Sequence, residues 1–135
     1  MICFDTNTVI AVLKGEPSHL VDRFDRLVAR RRVALSSIVI FELDYGVAHS
    51  TQRARNAARL RSFLNAPIVI LPFDRDDARE AGEIRADLRC AGTPIGPYDV
   101  LIVAQARRRK ATLVTDNISE FARVPGLATE NWMVV

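Results

Sequence analysis

Met1-Ile-Cys-Phe-Asp-Thr-Asn-Thr8 is the stretch on which the reading of this chain turns. Ile2 and Phe4 are apolar, and Met1 and Cys3 are compatible with burial, so it reads as a short strand covered on both faces, as in a parallel sheet. Asp5 stands where that strand stops. Thr6 is placed to cap the helix that follows, whose apolar face carries Val9, Val12 and Leu13. In open α/β sheets ligands bind just beyond the carboxyl ends of the strands. Asp5 therefore marks the point to which other functional side chains should be sent.

Downstream, strands and helices alternate. Pro17 is placed to open a second helix, with Leu20, Phe24, Leu27 and Val28 on one side and Arg30-Arg31-Arg32 at its end. Val33-Ala34-Leu35 reads as a strand, and Ser36 or Ser37 caps a helix running to about His49. A fourth helix spans about Thr51 to Asn65, with Leu60, Phe63 and Leu64 as its apolar side. Pro67 to Leu71 is a strand. Asp74 and Asp77 make an acidic start to a helix bearing Ala81, Ile84 and Leu88. After the turn-rich Ala91–Pro97 comes a helix from Tyr98 to about Arg109, apolar all round at Val100–Ala104 and so expected at the centre of the fold. Thr112 to Thr115 is a strand ending at Asp116, a short helical segment follows, and Trp132–Val135 is expected to be a last strand. This alternation predicts an α/β domain: a parallel sheet with helices on both faces, without linker or repeat.

The chain has 135 residues, one domain of ordinary size, able to bury a core without metal or disulfide. Hydrophobic residues make up 49% and charged ones 26%, a soluble globular balance. No apolar run has the length of a membrane span and no basic, apolar signal opens the sequence, so a cytoplasmic protein is expected. Cys3 and Cys90 are isolated and suggest neither disulfide nor zinc. Net charge is +3, and seventeen of the nineteen cationic residues are arginine. Arginine forks onto phosphate, which suits a nucleic-acid partner, although genome composition explains the bias equally well.

Four acids stand out by context. Asp5 and Asp116 each end a strand, Asp99 lies in the first turn of a helix, and Glu42 sits in a helix between Phe41 and Leu43. Singly, each has a structural explanation: Asp5 as a cap, Asp99 as a favourable charge at a helix start, Glu42 as a partner for arginine. Together they suggest a converging site. Two like charges about 4 Å apart repel by about 4 kcal/mol at an effective dielectric near 20, so such a cluster takes up protons or binds a cation. Oxygen ligands favour Mg²⁺ or Mn²⁺, which would activate water and neutralise charge at a phosphate. The residues thus point to metal-dependent phosphodiester hydrolysis. Neither His19 nor His49 has a partner that favours a general-base alternative.

These motifs resemble a known family. Asp5-Thr-Asn-Thr8, Glu42, Ile95-Gly-Pro-Tyr-Asp99 and Val114-Thr-Asp-Asn117 with Glu120-Phe121 are similar to the PIN-domain ribonucleases, and most of all to the VapC toxins of bacterial toxin–antitoxin pairs. The tail from Asp116 through Trp132 resembles the tRNA(fMet)-cleaving branch of those toxins. The resemblance spans the chain from residue 1 to about 135. It implies a PIN-like three-layer α/β/α fold with a parallel sheet of four to five short strands. It implies an Mg²⁺- or Mn²⁺-dependent endoribonuclease acting on structured RNA such as tRNA, a cognate VapB-like antitoxin, and a homodimer. Carried over by position, Asp5, Glu42, Asp99 and Asp116 form the acidic metal site, with Asn7, Thr115 and Asn117 as polar supports. Many relatives carry Asn where this chain has Asp116, and Glu120 is either part of the site or an acid on its rim.

Two other folds with an acid at the first strand end fit poorly. A haloacid-dehalogenase-like enzyme needs a second Asp where this chain has Asn7, and a response-regulator receiver needs an acidic pair after the first strand. A PIN-type nuclease acting on DNA, or a non-catalytic protein-binding PIN module, remain the alternatives. Arg53, Arg55, Arg59 and Arg61 on the fourth helix bind RNA phosphates, dock an acidic antitoxin segment, or stay solvated. Arg107-Arg108-Arg109-Lys110 reads as a charged helix end, solvated or in contact with RNA.

Overall fold

The computed structural model describes residues 1–134. The elements run β1 (Ile2–Phe4), α1 (Thr6–Lys14), α2 (Ser18–Ala29), β2 (Val33–Ser36), α3 (Ser37–His49), α4 (Arg53–Leu64), β3 (Val69–Leu71), α5 (Arg75–Cys90), α6 (Pro97–Arg108), β4 (Thr112–Val114), α7 (Ile118–Phe121) and β5 (Ala128–Glu130). All strand pairs are parallel, in the order β3-β2-β1-β4-β5, with helices completing a three-layer α/β/α fold. The expected fold class is observed. Among the described residues, no helix is long and apolar enough to cross a membrane.

Burial follows position in the sheet. β2 is buried throughout and β1 and β4 nearly so, whereas the edge strands β3 and β5 are largely exposed. Phe4 at the end of β1 meets Phe24 of α2 and Trp132 edge-on, with ring centroids 5.1 and 5.2 Å apart. α6 is the central helix, with Val100, Ile102, Val103, Ala104, Gln105 and Ala106 all buried.

The strand order sets the site. β1 takes β2 on one side, with β3 beyond it, and the chain then returns to place β4 on the other side of β1. This reversal opens a crevice at the carboxyl ends of β1 and β4, the usual place for a ligand in a doubly wound sheet. The register pairs Phe4 with Val114, so the residues that follow, Asp5 and Thr115, become neighbours across 110 positions of sequence.

Three local expectations are corrected. The cap of α1 is Asp5 rather than Thr6: its carboxylate accepts from the Thr8 amide at 3.0 Å. The last strand is Ala128–Glu130, earlier than Trp132–Val135, because Thr112, Leu113 and Val114 pair with residues 128–130. Trp132 is buried under α2 instead, and Val135 lies outside the described residues. The Arg107–Arg109 run is neither solvated nor free for RNA. Arg107 pairs with Glu80, Arg108 with Asp74 and Asp77, and Arg109 with Asp77, which ties the end of α6 to the start of α5; only Lys110 is exposed.

Candidate active site

Of the expected site acids Asp5 is the most enclosed, 5% exposed. One carboxylate oxygen accepts from the Thr8 amide and the other from the Thr115 hydroxyl at 2.6 Å. The Thr115 oxygen in turn accepts from the Asn117 amide at 3.0 Å, so the β4 end holds Asp5 in one orientation. Burial raises the Asp5 carboxyl above its ordinary range, hydrogen bonds from Thr115 and Thr8 oppose this, and the nearby Asp116 charge adds to it.

Glu42 is brought in by α3, which starts at the end of β2 with Ser36 as cap. Its carboxylate accepts from the Thr6 hydroxyl at 2.6 Å, so α1 and α3 are joined at the site. No arginine pairs with Glu42 among the described residues. Asp99 comes from the first turn of α6, directly after Gly96-Pro97. Its carboxyl is pushed up to about 6, by burial first and then by the charges of Glu120, Glu42 and Asp5. A Cβ at position 96 would stand 2.9 Å from an Asp99 oxygen, so glycine there makes room for the acid.

Glu120 takes a larger part than its sequence position suggested. One carboxylate oxygen accepts from the Gly96 amide at 3.2 Å and the other from the Asn117 side-chain amide. Its charge is the largest electrostatic influence on Asp99. Asp116 is exposed, bends away after β4, and acts on Asp5 from the rim. Of the expected supports, Thr115 and Asn117 hold acids in place, whereas Asn7 is exposed and takes no hydrogen bond among those described. Thr6 and Thr8 do that work from α1. The spacing Asn117-x-x-Glu120 on a short helix was the signal for Glu120; nothing in the sequence singled out the Thr6–Glu42 contact.

The donor set fits a hard divalent cation. Asp5, Glu42, Asp99 and Glu120 influence one another, and among the described residues no arginine or lysine pairs with any of them. No three acidic, His or Cys side chains among the described residues converge tightly enough to enclose an ion by themselves. An ion held by few carboxylates would keep several waters, as Mg²⁺ and Mn²⁺ do. From Glu42 a groove of about 210 Å³ runs between α1, α3 and α4, lined by Ile10, Leu13 and Leu60 with Lys14 and Arg59 at its rim. Phe41 and Tyr98, each next to a site acid, meet at 5.4 Å and are about half exposed.

Comparison with known proteins bears on the family and the fold. The PIN domain model matches residues 2–127. The chain is 40% identical over 128 residues to the tRNA(fMet)-specific endonuclease VapC of Salmonella typhimurium, covering 95% of each, and 38% identical over 128 residues to ribonuclease VapC2 of Rickettsia felis, again covering 95% of each. The crystal structure of VapBC2 from Rickettsia felis, bound to a DNA fragment from its promoter, superposes with a TM-score of 0.90 at 37% identity, covering 98% of this chain and 99% of that one. With its sheet order, its acids at the carboxyl edge and this similarity along nearly the whole length, the chain belongs to the PIN-domain family, in its VapC ribonuclease branch.

Proposed function

We propose that the chain is the ribonuclease toxin of a type II toxin–antitoxin pair, cutting structured RNA, tRNA foremost, at a Mg²⁺- or Mn²⁺-dependent carboxylate site. The observation that carries this is the set of acids facing one another without a counter-charge. Asp5, Glu42, Asp99 and Glu120 would hold the ion, with Asp116 reaching it from the rim. When bound, the ion would supply the charge that polarises an attacking water and offsets the charge of the scissile phosphate.

The chain's own residues do the positioning. Thr115 and the Thr8 amide fix Asp5, Thr6 fixes Glu42, and the Gly96 amide with Asn117 fixes Glu120. A site assembled from four elements that meet only in the folded state is pre-organised, which limits reorganisation during reaction. The groove leading from Glu42, apolar with Lys14 and Arg59 at its rim, suits a VapB-like antitoxin segment with apolar and acidic residues. Phe41, Tyr45 and Tyr98, all exposed, supply an apolar surface for homodimerisation. A tRNA substrate places the protein in the cytoplasm.

The test is cleavage of a total tRNA pool by protein freed of any partner, in Mg²⁺, in Mn²⁺ and in EDTA. Discrete fragments are expected with metal only. Asp5→Asn and Asp99→Asn should each slow cleavage by about two to three orders of magnitude without loss of fold. Equal cleavage of DNA would reassign the substrate, and metal-independent or variant-insensitive cleavage would remove the carboxylate mechanism.

A further inference from the structure

Along the α2 side of the sheet, from Arg32 ahead of β2 to Trp132 just past β5, arginines gather around a cavity of about 330 Å³. It is lined by Arg23 and Arg26 of α2, by Arg30 at its C-cap, by Arg32 just before β2, and by Trp132 and Glu130. Arg23, Arg26 and Arg30 fall at i, i+3 and i+7, one face of a helix. The chain then turns back through Arg31, whose φ of 56° is left-handed, and this reversal brings Arg32 to the same place. None of these arginines forms an ion pair among the described residues, although Asp22 and Asp25 share the helix.

Two details make this more than a charged helix end. The Arg23 guanidinium lies 3.8 Å from the centre of the Trp132 ring, stacked over it. Stacking uses the face of the guanidinium and leaves its N–H edge free to fork onto an anion. The ring below is itself fixed: it packs on Phe4, and the Trp132 backbone carbonyl meets His19 at 3.1 Å. Several guanidiniums around one cavity, against the single carboxylate of Glu130, call for an anion. Forked donors on a pre-set platform suit phosphate more than a point-like carboxylate.

We propose that this pocket is a second, non-catalytic phosphate-binding site, which takes backbone phosphates of the RNA substrate. This rests on the ribonuclease reading for the source of the phosphate. Trp132 at one end of the pocket packs on Phe4, the residue before Asp5, and Arg32 at the other end lies a short strand away, about 10 Å. An RNA held at the carboxylates thus has a second phosphate contact within reach. The pocket would add affinity without touching the bond that is broken.

Trp132 is the only tryptophan in the chain, so its emission reports on this pocket directly. Emission and affinity are measured in EDTA, so that cleavage plays no part, with three probes: a total tRNA pool, sodium phosphate and polyglutamate. The variants are Arg26→Gln/Arg30→Gln and Arg26→Lys/Arg30→Lys. The expected result is a saturable change of emission with tRNA that the double Gln variant loses and the double Lys variant largely keeps. Affinity for tRNA should fall about tenfold in the Gln variant, and the slope of log K against log salt should flatten by about 1.5 for two lost phosphate contacts. An unchanged affinity and slope would overturn the proposal. So would an equal response to polyglutamate, which would make this a site for an acidic polypeptide, or a response to phosphate with no change in tRNA affinity, which would make it a small-anion site. Loss of cleavage with intact EDTA binding would count against the ribonuclease reading alone.

Discussion

Asp5 and Asp77 are a matched pair with opposite surroundings. Asp5 directly follows β1 and Asp77 lies in the first turn of α5, the helix after β3; each takes part in capping its helix, and each is buried. Asp77 is met by Arg109 at 2.9 Å, Arg108 at 3.3 Å and the Gln105 amide at 3.0 Å. Burial works against its ionisation, but the hydrogen bonds of Arg109, Asp74 and Gln105 outweigh it and hold the carboxyl below its ordinary range. Asp5 has hydroxyl and amide donors only, its nearest charge is another acid, and its carboxyl is raised. The fold neutralises one buried acid internally and leaves the other unneutralised. A buried acid whose charge is already matched serves stability; one whose charge is unmatched is held ready for something from outside.

This contrast breaks first at Asp77. Asp77→Ala leaves Arg108 and Arg109 without their buried partner and should destabilise the protein by about 3 kcal/mol in denaturant titration. Activity per folded molecule should be retained. Severe loss of activity in protein that still folds would show that the two acids are not divided in this way.

Asp99 should behave in the reverse sense. Its carboxyl titrates near 6 when folded and near its ordinary value of 3.8 when unfolded. The folded state therefore holds a proton that the unfolded state has released, and stability falls as pH rises from about 4 to 6. Asp99→Asn should stabilise the metal-free protein by about 1–2 kcal/mol at pH 7.5, after allowance for partial solvent screening. That gain should vanish near pH 4. A thermal melt across this range checks both size and sign. Cleavage by the unaltered protein should fall as pH drops through about 6, because protons then compete for the ligands.

Smaller effects refine the boundary of the unmatched set. Gly96→Ala sets a methyl 2.9 Å from Asp99 and should displace that acid, slowing cleavage about tenfold with a stability change under about 1 kcal/mol. Glu120→Gln should weaken Mn²⁺ binding more than Asp116→Asn does, since Glu120 acts on Asp99 while Asp116 acts from the rim on Asp5. Calorimetric titration with Mn²⁺ ranks the two. The opposite order would return Asp116 to the inner set.

Much of this was legible along the chain. Strand-forming runs end at Asp5 and Asp116, caps and turns punctuate the helices, and α6 announces its central place by being apolar all round. These are local signals, fixed by periodicity and by the chemistry of adjacent residues. The ordered acids also carried the family resemblance, and with it the expectation of a ribonuclease. The strand over Trp132–Val135 failed because an apolar, β-prone run does not disclose whether a sheet edge is still open to it. Here residues 128–130 had already taken the edge beside β4.

What only the tertiary structure decided was which charges meet. The Arg107–Arg109 run looked free because its acids, Glu80, Asp74 and Asp77, lie about 30 positions earlier, on α5 or at its start. Glu120 looked marginal because its partner, the Gly96 amide, is 24 positions away. Thr6 looked like a cap until it met Glu42 across 36 positions. Electrostatic and hydrogen-bonding partners act over a few ångströms of space, not of sequence. Residue types therefore determined what kind of chemistry this protein can hold, and packing alone determined which acids were matched with arginine and which were left unmatched.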